Sequence, residues 1–178
     1  AIKPAMEFPV DAVIPRLSEA LTLGSAAILV AEPGAGKTTR VPLKLLGSSW
    51  LGDKKIVMLE PRRLAARAAA RRMAETLGEE IGATVGYTVR LDRKVSAKTR
   101  IEVVTEGILT RRLQHDPELK DTGLVIFDEF HERSLDGDLG LALTLDMRQG
   151  LREDVRRLTM SATLHSARLS EHLQGAPV

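Results

Sequence analysis

Along the 178 residues, short uninterrupted apolar runs alternate with longer stretches in which apolar positions recur every three or four residues. The first pattern suits a strand buried on both faces, and the second an amphipathic helix. Residues 11–23 fit a first helix, with Asp11 as N-cap and Val13, Ile14, Leu17 and Leu21 at helical spacing. Residues 26–31, AAILVA, predict a buried parallel strand that a proline and a glycine close. A helix then starts within GKTT and ends near Gly47. Residues 56–59 give the next strand, and the alanine- and arginine-rich stretch 64–77 a helix of strong propensity. Shorter strands are predicted at 84–87 and 101–104, and the polar, basic RLDRKVSAKTR between them reads as a turn. Helices at 105–115, 140–147 and 167–173 alternate with strands at 124–127 and 158–160. Repeated strand, loop and helix units with apolar strands imply an α/β fold: a mostly parallel sheet with helices on both faces.

Composition narrows the class. With 43% hydrophobic and 28% charged residues the chain reads as a soluble globular protein. No repeat or linker divides it, so residues 1–178 are expected to form one domain, with 1–9 flexible or partly foreign to the native protein. No apolar stretch approaches the ~18 residues of a membrane span. The first residues also lack the apolar core of a secretory signal, so no membrane role and a cytoplasmic location are expected. The absence of cysteine excludes disulfides, thiolate metal ligands and a cysteine nucleophile. A net charge of +2 is only a slight bias toward a polyanionic partner. Aromatic residues, at 3%, are too few for a base-stacking platform, so a nucleic acid would be held by its backbone.

The most specific chemical signal is AEPGAGKT, residues 31–38, between an apolar strand and a helix. Backbone N–H groups of such a loop, around Gly34, Ala35 and Gly36, cradle phosphates together with the positive helix N-terminus. Lys37 reaches the β- and γ-phosphates, Thr38 offers its hydroxyl to Mg²⁺, and Thr39 follows in the same turn. Ala31 stands where the usual pattern has glycine, which a strand end with negative φ tolerates. A plain turn at Gly34 and Gly36 is the bland alternative. A second oxygen ligand is expected at the end of a neighbouring buried strand, and LVIFDEFH supplies it. Asp128 would hold the metal through water and Glu129 would orient or deprotonate the attacking water. The same acid pair could instead cap a helix. His131, two residues on, is either part of this box or a surface histidine.

AEPGAGKTT, PRRLAA (61–66), VGYTVR (85–90), TEGIL (105–109), DEFHERS (128–134) and SAT (161–163) occur in the order found in DEAH/RHA-type helicases of superfamily 2. The chain resembles that family from Val10 onward, and its DEFH box and PRRLAARAAARRMAE run look most like the bacterial HrpB branch. The resemblance implies a RecA-like P-loop NTPase domain using ATP and Mg²⁺, the first of two such domains. Ser161 and Thr163 resemble the element coupling the nucleotide site to the nucleic-acid track. A local helix cap is their alternative role. Arg62, Arg63 and Thr105 resemble residues contacting the phosphate backbone of single-stranded RNA or DNA, although the arginines could equally be a solvated helix face. Arg72 is similar to an arginine that stacks on the nucleotide base, and 90–99 to a backbone-contacting turn. Nothing after Thr163 resembles the motif that supplies arginine fingers from the second RecA-like domain of the parent chain. No glutamine precedes the phosphate loop in FPVDAVIPRL, so weak nucleobase discrimination is expected.

Two other classes are consistent with parts of this pattern. A P-loop kinase or GTPase would use Lys37 and Thr38, but the chain has no N-K-x-D guanine reader and neither reading explains SAT or DEFHER. A nucleic-acid-binding module without turnover would not need Lys37, Asp128 and Glu129 together.

Overall fold

A computed structural model describes residues 13–24, 26–30, 37–128 and 155–161, with the backbone alone for Lys37 and Ser161. Among these residues seven strands form one sheet in the order β1-β7-β6-β2-β5-β3-β4. They are β1 (Ala26–Val30), β2 (Lys55–Leu59), β3 (Val85–Val89), β4 (Asp92–Lys94), β5 (Ile101–Val104), β6 (Thr122–Phe127) and β7 (Arg156–Ser161). Every pairing is parallel except β3 with β4. Four helices accompany them: α1 (Ile14–Leu23), α2 (Lys37–Leu45), α3 (Arg63–Thr76) and α4 (Glu106–His115).

Apart from the exposed edge strand β4, the strands are buried on both faces because helices cover both. Leu17 and Leu21 of α1, Val41 and Leu45 of α2, and Ala66, Ala69, Ala70 and Met73 of α3 pack with Ile56, Met58, Tyr87, Ile101, Leu124 and Leu158 on one face. Leu109 and Leu113 of α4 join Val57, Leu59, Val104, Val125 and Phe127 on the other. The alanines of α3 let its backbone approach the sheet closely, while Arg63, Arg71 and Arg72 are exposed. The expected RecA-like α/β architecture is therefore the observed one.

Three local expectations need correction. Helix α1 begins at Ile14 with Val13 as N-cap, not at Asp11, which lies outside the described residues. Pro15 explains the later start: its missing N–H is harmless only in a first turn, and a cap at Asp11 would place it where a helical hydrogen bond is required. The polar segment 90–100 is not only a turn. Its first part folds back as β4, pairing Tyr87 with Lys94 and Val89 with Asp92 across a two-residue turn at Arg90 and Leu91. Strand β7 is also longer than predicted, because Arg156 and Arg157 enter the sheet. Arg156 Nε donates to the Leu21 carbonyl, and its guanidinium lies 4.7 Å from the Trp50 ring centroid. The predicted helices at 140–147 and 167–173 lie outside the described residues.

Candidate nucleotide and nucleic-acid edge

Because six strands run parallel, their carboxyl ends share one edge of the sheet, where open α/β folds place their ligands. Strand β7 lies between β1, which leads into the glycine-rich loop, and β6, which ends in the acid pair. That order brings distant segments together: the Thr38 hydroxyl donates to Asp128 Oδ2 at 2.9 Å. Asp128 is buried, and its backbone N–H donates to the Leu59 carbonyl, which fixes the carboxylate beyond the end of β6. Thr38 is held in the first turn of α2, with Lys37 opening the helix and Thr39 half-buried beside it.

A hydroxyl and a carboxylate oxygen are donors for a hard cation. Their 2.9 Å separation puts both oxygens at one point of the sheet edge, where a cation could be held by the hydroxyl and by the carboxylate through water. The pair therefore fits a magnesium site. Gly34, Ala35, Gly36, Glu129, His131 and Thr163 lie outside the described residues. Ser161 is the last residue of β7, in register with Val30 at the end of β1.

The arginines and Thr105 sit further along the same edge. Arg62 is the N-cap of α3 and Arg63 its first residue, both exposed just beyond β2. Thr105 is the N-cap of α4, and its hydroxyl makes no capping hydrogen bond. Two hydroxyl- or guanidinium-bearing helix starts thus face the same side as the α2 N-terminus. Arg72 is exposed on α3, about two and a half turns from Arg63, with no described contact to Thr38 or Asp128.

Three features were not anticipated. Glu60, 2% exposed, closes the apolar run of β2 and donates its N–H to the Val104 carbonyl. The sequence does carry a signal for it, since Glu60 ends an apolar strand as Asp128 does. Glu102 on β5 is buried and accepts both Arg112 guanidinium nitrogens, at 2.7 and 2.5 Å, and the Thr88 hydroxyl at 2.5 Å. Burial alone would raise its pKa, but Arg112, Thr88 and the charge of Lys55 outweigh that and hold the carboxyl below its ordinary value. Finally, Tyr87 donates its hydroxyl to Asp92 Oδ2 at 2.8 Å, and Arg67 Nε lies 3.1 Å from the same oxygen. Burial raises the Tyr87 pKa, with Asp92 adding to it and Arg67 and Arg71 opposing. Neither cluster has a spacing that marks it in the sequence.

A mostly parallel RecA-like sheet with Thr38 and Asp128 joined at its carboxyl edge is the fold of a P-loop NTPase, and the chain matches the DEAD/DEAH box helicase family over residues 12–171. It belongs to that family. It is 56% identical over 170 residues to the ATP-dependent RNA helicase HrpB of Escherichia coli (strain K12), covering 96% of this chain and 21% of that protein. The probable ATP-dependent RNA helicase DHR2 of Saccharomyces cerevisiae is 37% identical over 153 residues, 85% of this chain and 21% of that one. Two crystal structures of Escherichia coli HrpB, described as a DEAH/RHA helicase and as a DExH-box NTPase, superpose with TM-scores of 0.87 and 0.89. They are 56% and 54% identical, covering 96% and 100% of this chain and 22% of each HrpB chain. The chain thus spans about a fifth of the length of these relatives. Family membership sets aside the kinase and GTPase readings. Among the described residues no helix is long and apolar enough to cross a membrane.

Proposed function

We propose that this chain is the ATP-binding first RecA-like domain of an ATP-dependent RNA helicase, working in the cytoplasm against a second RecA-like domain of the same parent protein. The observation that carries the proposal is the Thr38–Asp128 hydrogen bond, which joins the phosphate loop to the acid box across β7. On this reading the loop amides at Gly34, Ala35 and Gly36 and the Lys37 ammonium bind the phosphates. Thr38 and Asp128 hold Mg²⁺, which when bound screens phosphate charge. Glu129 orients the attacking water and accepts its proton, with His131 beside it. Thr39 completes the cradle and Arg72 lies against the base. Arg62, Arg63 and Thr105 grip the phosphate backbone of single-stranded RNA without reading sequence, and Ser161 and Thr163 link the two sites.

Calorimetry with ATP in magnesium and in EDTA tests the metal assignment. The chain is expected to bind ATP about tenfold or more tightly with magnesium, a difference of ~1.4 kcal/mol or more. Asp128→Asn, which keeps the shape and the Thr38 hydrogen bond, is expected to abolish that difference, while Lys37→Ala weakens binding under both conditions. A magnesium dependence unchanged in Asp128→Asn removes Asp128 from the metal site.

A further inference from the structure

The tight turn between β3 and β4 is held in an unfavourable conformation. Leu91 has a φ of 66°, a region that L-residues with large side chains rarely occupy, and it is 94% exposed, so no burial compensates. Such a turn persists only where its surroundings over-determine it. Here the first residue of β4 does so. Asp92 Oδ2 accepts the Tyr87 hydroxyl from within the core and lies 3.1 Å from Arg67 Nε in the second turn of α3, an ionic contact in which the buried Nε–H is not aligned as a hydrogen bond. Tyr87 is fully buried, so it anchors Asp92 to the sheet, and Arg67 ties the same oxygen to the helix that starts with Arg62 and Arg63. Gly86 lets the hairpin close this tightly, since a Cβ there would lie 2.1 Å from the Lys94 carbonyl oxygen.

The consequence concerns where cations point. Strand β3 ends on the same sheet edge as β2, so the exposed Arg90 and Leu91 stand at the level of the exposed Arg62, Arg63 and Leu64. Arg62, Arg63 and Arg90 have no ion-pair partner among the described residues, whereas Arg67 is committed to Asp92.

We propose that Arg67, Asp92 and Tyr87 form a positioning clasp that locks the Arg90–Leu91 turn against α3, so that the turn and the α3 N-terminus grip one single-stranded nucleic acid as a unit. The proposal rests on the backbone grip by Arg62 and Arg63 proposed above. Arg67 and Asp92 touch no phosphate; they act through the turn. Losing the clasp frees the turn and takes its cation out of the joint grip, while the nucleotide site on the far side of β2 is left as it is.

The test is fluorescence anisotropy of a labelled single-stranded oligouridylate with the chain over a series of salt concentrations, alongside calorimetry with ATP and magnesium. Asp92→Ala and Arg67→Met are each expected to weaken RNA binding about five- to tenfold at low salt. The slope of log Kd on log salt should fall by ~0.7, the change expected when one fewer phosphate of a single strand is neutralised. The double variant should be no weaker than either single one, Asp92→Glu should recover most of the affinity, and ATP affinity should be unchanged throughout. Arg67→Met keeps the apolar stem of this half-buried side chain in place, so it retains the packing of α3 even if Asp92→Ala does not fold. Wild-type RNA affinity and slope in Arg67→Met, or additive losses in the double variant, overturn the clasp. An Arg62→Ala/Arg63→Ala variant that binds RNA as tightly as wild type overturns instead the grip on which the clasp depends.

Discussion

At Gly86 the requirement for glycine is steric rather than conformational. The residue sits inside β3 with ordinary extended backbone, yet an added methyl would overlap the Lys94 carbonyl and crowd the Val95 side chain. The nearest neighbour is backbone and cannot rotate away. Gly86→Ala must therefore push β4 off β3 and pull Asp92 from Tyr87. A loss of about 1–3 kcal/mol in unfolding free energy is expected, of the size that overpacking costs in a well-filled core. Urea denaturation measures it, and a variant as stable as wild type would mean that the hairpin yields without cost. Thr38 illustrates the opposite case, in which a residue matters by what its oxygen reaches. Its place at the end of the glycine-rich motif made its meeting with the acid box legible from spacing alone, whereas Asp92 gave no such sign. Its partner Arg67 is on another element, and nothing local distinguishes either from a solvated surface charge.

Single elements show why parts of the fold could be read and others could not. Strands β1, β2, β5 and β6 are short apolar runs, and burial on both faces leaves that pattern as a direct imprint. Helix α3 was equally plain from its alanines. Strand β4, with the sequence DRK, carries no such imprint because it lies at an edge of the sheet and is held by backbone pairing and by Asp92. The carboxyl-edge placement of Arg62, Arg63, Thr105 and Asp128 followed from the motif order, while the Glu102 cluster between β5 and α4 did not. That cluster makes a prediction of its own. Its carboxyl has a pKa below the ordinary value in the folded state, so ionised Glu102 contributes stability above its unfolded pKa of ~4.5. That contribution is lost as pH falls through the lower folded value. Glu102→Gln is expected to lower stability by about 1.5–3 kcal/mol at pH 7, the range for hydrogen bonds to a charged group. The difference from wild type should shrink as the pH is taken below 4.5. Denaturation curves at pH 7 and pH 3 would show it, and a difference independent of pH would mean that the Arg112 pair adds nothing through its charge.

For the molecule as a whole, the proposed function makes the carboxyl edge of the sheet one wall of a nucleotide site and one side of a nucleic-acid track. Charge developing on a transferred phosphoryl group requires a further cation, and an arginine finger contributes about 10³- to 10⁵-fold in related phosphoryl transfers. The motif that supplies such a finger in the family is not found in the sequence after Thr163. The 178-residue chain is therefore expected to bind ATP with magnesium, to hydrolyse it barely above background, and to gain little from added RNA. Single-turnover hydrolysis with and without oligouridylate checks this, and vigorous RNA-stimulated turnover by the chain alone would place the finger within it.

Strand β7 lies between β1 and β6, although it is the last of the seven described strands to be made. While a ribosome is still synthesising the protein, β1 and β6 emerge with the gap between them unfilled. Neither can bring Thr38 to Asp128 until Arg156–Ser161 slots in beside both. Nucleotide affinity should thus switch on late and abruptly with nascent length rather than grow gradually, and the apolar flanks of that gap are the surface a chaperone would have to guard in the interval.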